Sequence, residues 1–251
     1  MGATAPWYEN EELWAELLPV LVDDAVVKAA EEEARQVVAI LGAPPGAHLL
    51  DLGCGAGRHS IALARMHYRM TGVDRTSLYL EQAGRRASGA GVTVEWIRRN
   101  MLEYRREAVF DGAFCLFTSF GYFESRDDDL QVLRNVHFSL RPGGVFVVET
   151  IGKEVLARIF DARHWQETTS SRYWMQEREI TPGWERIRNR WVFAGGGRET
   201  RQFTFEHRLF SAVELAAMFE QAGFQDVAAY GGLDRRPYDR DSRRLVVTGR
   251  K

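Results

Sequence analysis

The chain has only two cysteines in 251 residues, Cys54 and Cys115. Two are too few for a disulfide framework or a cysteine metal site. Both lie in or beside segments that read as strand ends, where a thiol packs as a small apolar group. A surplus of charge is missing as well: the net charge is −2, which gives no electrostatic reason to expect nucleic acid. The arginine pairs Arg85-Arg86, Arg98-Arg99, Arg105-Arg106 and Arg235-Arg236 are in several cases followed closely by acids and read as solvated mixed-charge surface. No long apolar run occurs. Leu13 to Val22 is broken by Glu16 and Pro19 and followed by Asp23-Asp24, which suits an amphipathic helix and a turn rather than a signal core or a membrane span. The expectation is a cytoplasmic chain without a membrane or nucleic-acid partner.

What is present is enough apolar content, 45%, for one substantial core or one core with an added lobe. Between Leu49 and Asp74 the pattern is strand, glycine-rich turn, helix, strand and acid. The turn is Asp51-Leu52-Gly53-Cys54-Gly55-Ala56-Gly57. A dinucleotide fingerprint needs its third glycine one place later, beneath a pyrophosphate, and Arg58 occupies that place. The backbone of such a loop can pass directly against a ligand, so a nucleoside-like ligand without pyrophosphate is expected. Asp74 ends the strand Arg69 to Asp74, where a carboxylate accepts hydrogen bonds from ribose hydroxyls or caps the following helix.

With these residues the chain resembles the class I S-adenosylmethionine-dependent methyltransferases, from about Leu49 to the C-terminus. The resemblance implies a doubly wound α/β fold, a seven-stranded mostly parallel sheet. It also implies that Gly53, Gly55 and Gly57 line the methionine part of S-adenosylmethionine, that Asp51 lies near its amino group, and that Asp74, followed by Arg75, holds the ribose. Asn100, followed by Met101, matches the position where the family usually has an aspartate contacting the adenine amino group. An amide carbonyl can still accept that hydrogen bond. Phe117 and Thr118, at the end of a strand from Phe110 to Phe117, match the position beside the cofactor that opens onto the acceptor. Leu140-Arg141-Pro142-Gly143-Gly144 looks like the turn into the fifth strand, which ends at Glu149.

Strands and helices alternate until Thr150, with helices expected at Glu11 to Leu18 (Asn10 as N-cap), Asp24 to Leu41, Arg58 to His67, Ser77 to Ala90 and Arg126 to Leu140. Residues 1–150 form the N-terminal helices and the cofactor core. The rhythm then changes: a short helix from Lys153 to Phe160 is followed by strands at Arg172 to Ile180, Trp184 to Phe193 and Glu199 to Phe210, punctuated by Pro182-Gly183 and Gly195-Gly196-Gly197. Residues 151–210 thus read as an inserted antiparallel lid, rich in aromatic residues and arginine, that serves as both lid and packed sheet. Such an insertion makes a small-molecule acceptor more plausible than a macromolecule. Residues 211–251 complete the core, with a capping box at Ser211 and Glu214 and two closing strands. The loop Gly231 to Arg243 is solvated or supplies polar contacts to an acceptor.

The implied chemistry is in-line methyl transfer to a nitrogen or oxygen of a small molecule, leaving S-adenosylhomocysteine, with positioning and water exclusion as the protein's main tasks. Where the acceptor arrives protonated, the candidate bases are Glu149, Tyr122 and His164. No metal is implied. Trp7 and Tyr8, ahead of the first helix, close the site as a mobile flap or are simply disordered. A non-catalytic nucleoside-binding regulator and, less favoured, a nicotinamide-dependent oxidoreductase are the alternatives. The Asn/Asp-Pro-Pro-Tyr signature of amino-methylating nucleic-acid enzymes is absent. A homodimer is compatible with the sequence, which specifies neither oligomeric state nor acceptor.

Overall fold

The computed structural model describes residues 5–168 and 170–251; residues 1–4 of the expected N-terminal unit lie outside these. The core sheet contains β1 (His48–Leu52), β2 (Arg69–Asp74), β3 (Glu95–Arg98), β4 (Phe110–Cys115), β5 (Leu140–Thr150), and the closing strands β10 (Gln225–Tyr230) and β11 (Leu245–Arg250). Their order is β10-β11-β5-β4-β1-β2-β3. The first five are parallel, and β11 and β10 are antiparallel. The order reverses between β1 and β4, which places a ligand crevice at their carboxyl ends.

The sheet is buried on both faces, as parallel strands covered by crossover helices must be. Period two assigns Leu50, Leu52, Cys115, Phe146, Val148 and Val247 to one face, packed with residues of α5 (Arg126–Ser139) and α7 (Ala212–Gln221). Leu49, Phe114, Val145, Val147 and Val246 take the other face, with α2 (Asp24–Leu41) and α3 (Arg58–Arg65). Both cysteines are buried free thiols, as their apolar reading requires. No helix among the described residues is long and apolar enough to cross a membrane.

The insertion begins with α6 (Lys153–Ile159) and forms a four-stranded antiparallel sheet, β6 (Arg163–Glu167), β7 (Arg172–Ile180), β8 (Arg186–Gly195) and β9 (Arg201–Arg208), in that order. The sequence pattern does not mark β6, whose residues Arg163-His164-Trp165-Gln166-Glu167 lack apolar alternation because it is an exposed edge strand. The β8 arginines Arg186, Arg188 and Arg190 pair with Glu206, Glu179 and Glu177.

Helix α1 (Glu11–Leu21) runs through Pro19 instead of stopping at Leu18. Tertiary packing overrides the proline: Leu13 and Leu17 join Phe193, Phe203 and Phe205 of the lid in one apolar cluster. Glu16, which interrupts the apolar run in the sequence, is buried between these parts. It pairs with buried Arg172 at 3.1 Å and with Arg198 at 3.2 Å. Arg172 also donates to the carbonyls of Phe193, Gly195 and Glu199, so one guanidinium fastens the β8–β9 turn to α1. Breaking a buried pair from one side leaves an uncompensated charge, at a cost of about 3–5 kcal/mol. Glu16→Ala is therefore expected to lower stability by about 3 kcal/mol in urea unfolding, whereas the exposed Glu32→Ala leaves it nearly unchanged.

Candidate active site

The loop after β1 is shaped by positive φ at Gly53 (74°), Gly55 (53°) and Gly57 (75°), a region other residues enter only with strain. A Cβ on Gly53 would approach Ser119 Cβ at 2.9 Å, so the chain passes close to the β4 loop there. Asp74 Oδ2 accepts from Gly55 N at 2.8 Å and Oδ1 accepts from Thr76 N at 2.8 Å. One carboxylate thus fixes the glycine loop and the turn that leads into α4 (Ser77–Gly89), with lone pairs remaining for a ligand. Asp51 is buried at the end of β1 and accepts from Ser60 Oγ at 2.7 Å. Burial pushes its pKa up to about 7, and the nearby Asp74 adds to the rise.

A cavity of about 420 Å³ opens over this loop and extends beneath the lid, a size that suits a bound small molecule. Of the cofactor-binding residues expected from the sequence, Asp51, Gly53, Gly55, Asp74, Arg75, Asn100, Met101, Phe117 and Thr118 line it. Gly57 does not: it is the N-cap of α3, and a Cβ there would overlap the Trp96 indole. Arg75 donates to Tyr8 O at 2.8 Å and pairs with Glu9 at 3.2 Å, tying the N-terminal segment over the cavity. Asn100 Oδ1 accepts from Leu102 N at 3.0 Å, an Asx turn that leaves the carbonyl a second lone pair. Trp7 and Tyr8 form part of the wall, with Trp7 stacked on Phe205 at 4.5 Å and 4.7 Å from Tyr122 between ring centroids.

Strand β4 stops two residues short of Phe117 because Phe117 and Thr118 both adopt positive φ, 56° and 60°. Two consecutive strained residues persist only where their surroundings hold them. Glu149 does so here. Its carboxylate accepts from Phe117 N at 2.8 Å, its carbonyl accepts from Thr118 N at 3.2 Å, and Arg244 pairs with it at 3.1 Å. The Arg58 guanidinium lies 3.7 Å from the Phe117 ring centre.

The three candidate bases separate clearly. Tyr122 lines the cavity, but burial raises its pKa, so its hydroxyl remains a protonated donor. Glu149 is buried beneath the strained turn and does not line the cavity, and His164 sits half-exposed on β6 near Asp161, 3.7 Å away, also outside it. The loop from Gly231 to Arg243 contributes no lining residue; Tyr238 bonds Glu154 of α6 instead, at 2.9 Å.

Of the aromatic residues concentrated in the insertion, Trp174, Trp191 and Phe205 line the cavity, and the residues that motif reading missed, Trp14 of α1 and Gln176, Asn189 and His207 of the lid, line it with them. The signal that finds them is the strand period. Trp174, Gln176 and Arg178 alternate along β7, Asn189 and Trp191 along β8, and Phe205 and His207 along β9, which places one set on the inner face.

The glycine loop at the sheet's switch point, the acid ending β2 and the antiparallel last pair of strands define the class, a class I S-adenosylmethionine-dependent methyltransferase fold. The site fits that cofactor on its own geometry, because a buried acid, a bare glycine backbone and a half-buried second acid follow one another along one cavity floor. Residues 49–144 match the family model described as Methyltransferase domain. The putative methyltransferase YqeM of Bacillus subtilis (strain 168) is 25% identical over 194 residues, 72% of this chain and 75% of that protein. The solved CcbJ methyltransferase from Streptomyces caelestis superposes with a TM-score of 0.74 at 23% identity, covering 88% of this chain and 94% of that one. CalS10, an amino pentose methyltransferase from Micromonospora echinaspora solved with S-adenosylmethionine bound, gives 0.67 at 23% identity, covering 88% and 92%.

The high Asp51 pKa has a consequence for binding. A carboxyl near pKa 7 is largely protonated at pH 6, and an adjacent ammonium favours its ionised form. Cofactor binding should then release a proton below pH 7, and affinity should fall roughly tenfold per unit as the pH drops from 6.5 to 5.5. Calorimetry in two buffers of different ionisation enthalpy measures the release, and Asp51→Asn should remove it.

Proposed function

We infer that the chain transfers the sulfonium methyl group of S-adenosylmethionine to a nitrogen or oxygen of a small-molecule acceptor held between α1 and the lid. The observation that carries this reading is the single cavity that runs from the glycine loop and Asp74 to the inner face of the lid. Asp51 faces the methionine ammonium, Gly53 and Gly55 pass along the methionine chain, Asp74 takes the ribose hydroxyls, and Asn100 with Met101 borders the adenine. Phe117 and Thr118 separate the cofactor from the acceptor. When bound, the cofactor supplies the activated methyl group and its own leaving group, so the protein's share is orientation and exclusion of water. Trp7, Trp14, Tyr122 and Phe205 supply the dry wall. Glu149 acts by holding the Phe117–Thr118 turn, and no base is required of it.

CalS10 acts on an amino pentose by its own description, and an acceptor of comparable size suits this cavity. Incubation with methyl-labelled S-adenosylmethionine and a panel of small hydroxyl and amino compounds tests the reading. Labelled product together with S-adenosylhomocysteine is the expected result; cofactor binding without transfer to any compound would instead favour a nucleoside-binding regulator.

A further inference from the structure

The acceptor half of the cavity has an unequal supply of charge. The acids that line the cavity are Asp51 and Asp74, both on the cofactor floor. The wall formed by α1 and the lid carries no lining carboxylate, only aromatic and aliphatic side chains and the polar group of Gln176, Arg178, Asn189 and His207. Strand register draws that group together, because Arg178 pairs with Asn189 across β7 and β8 while His207 lies opposite the adjacent inner residue Ile187. Arg178 donates to Gln176 Oε1 and makes no ion pair among the described residues.

His207 shows how this wall treats a positive charge. Burial, with Arg186 and Arg178 acting in the same direction, lowers its pKa to about 4, so the ring is neutral at physiological pH. Asn189 Nδ2 lies 3.4 Å from His207 Nδ1; donation to Nδ1 leaves the ring proton on Nε2, a donor. A wall that resists a positive charge on its own imidazole also resists an ammonium group on a ligand. Aromatic faces attract cations, but an ammonium here would meet Arg178 and find no lining carboxylate to offset its lost hydration, since Asp161, the acid whose charge reaches Arg178, does not line the cavity. An oxyanion would meet Arg178, a neutral imidazole donor and the protonated Tyr122 hydroxyl.

We propose that the acceptor is a planar aromatic hydroxyl compound that binds as an anion, of the hydroxybenzoate type, with Arg178 as its specificity-determining residue. This rests on the methyltransferase reading above. Methylation then falls on oxygen. The carboxylate stays on Arg178, and the phenol ionises in solution, its proton passing to solvent before the acceptor enters the dry cavity; the phenolate lone pair makes the new O–C bond, and the C–S bonding pair departs with sulfur. The charges of oxyanion and sulfonium cancel, and no protein base is needed.

The test compares 4-hydroxybenzoate with 4-hydroxybenzylamine, matched rings of opposite charge, in calorimetric titrations of the whole chain saturated with S-adenosylhomocysteine. The expected result is at least tenfold tighter binding of 4-hydroxybenzoate, reduced to less than twofold in Arg178→Gln, with S-adenosylhomocysteine affinity unchanged in that variant. Equal binding of the two probes, preference for the amine, binding of neither, or a preference that survives Arg178→Gln would overturn the proposal. The preliminary S-adenosylhomocysteine titration separates the two levels: its failure would remove the methyltransferase reading itself, whereas its success with the wrong probe order would remove only the acceptor class.

Discussion

Asp74→Asn is expected to weaken S-adenosylmethionine binding by about 100-fold. The carboxylate occupies the end of β2 with one oxygen on Gly55 N and the other on Thr76 N, both at 2.8 Å. Hydrogen bonds to a charged acceptor contribute about 1.5–3 kcal/mol each, and tenfold in affinity is about 1.4 kcal/mol, so losing the charge before a ribose diol costs about 3 kcal/mol. An asparagine can keep the Thr76 contact through its carbonyl but then turns its amide toward the Gly55 N–H, a donor facing a donor. The glycine loop therefore loosens along with the ribose contact. A melting temperature lowered by only a few degrees, with the 100-fold loss in calorimetry, matches this account; unchanged affinity contradicts the ribose assignment.

The second large effect is on folding. Gly57 has φ 75°, and a Cβ there would overlap Trp96 and come within 2.9 Å of Ala83 Cβ. A left-handed conformation costs a non-glycine residue about 1–2 kcal/mol, and overpacking adds about 1–3 kcal/mol. Gly57→Ala should thus destabilise the chain by about 3 kcal/mol, a lowering of roughly 6–12 °C for a protein of this size. Trp96→Leu in the same chain should recover the overpacking share and leave the conformational share. A loss below about 1 kcal/mol in urea unfolding would show that the helix start tolerates a side chain. Gly53 and Gly55 border the cavity, whereas Gly57 lets α3 and Trp96 pack beneath it.

That distinction marks how far the sequence could be read. The loop, Asp74 and the turn at Arg141-Pro142-Gly143-Gly144 have local spacing that survives without knowledge of partners, so the sheet, its switch point and the floor of the cavity were legible from Leu49 onward. Helix α2 keeps the bounds expected from its caps and period, Asp24–Leu41. What was not legible depends on distant contacts. Pro19 reads as a helix end only while the packing of α1 against Phe193 and Phe205 is unknown, and Glu16 reads as a mere break in the apolar run only while Arg172, more than 150 residues away, is out of view. Glu149 reads as a base because it is an acid at a strand end, yet the positive φ of Phe117 and Thr118 turns its carboxylate to a backbone N–H. His207 carries no motif. Its place on the inner face follows from the alternation Phe203, Phe205, His207 along β9, and its neutral state follows from burial beside two arginines.

The central claim is that the glycine loop and Asp74 form the floor of an S-adenosylmethionine site, and calorimetric titration of the purified chain tests it most directly. S-adenosylmethionine and S-adenosylhomocysteine should each bind at one site per chain, with no heat from NADH or NADPH. Binding of a nicotinamide nucleotide, or of none of the four, would contradict the account.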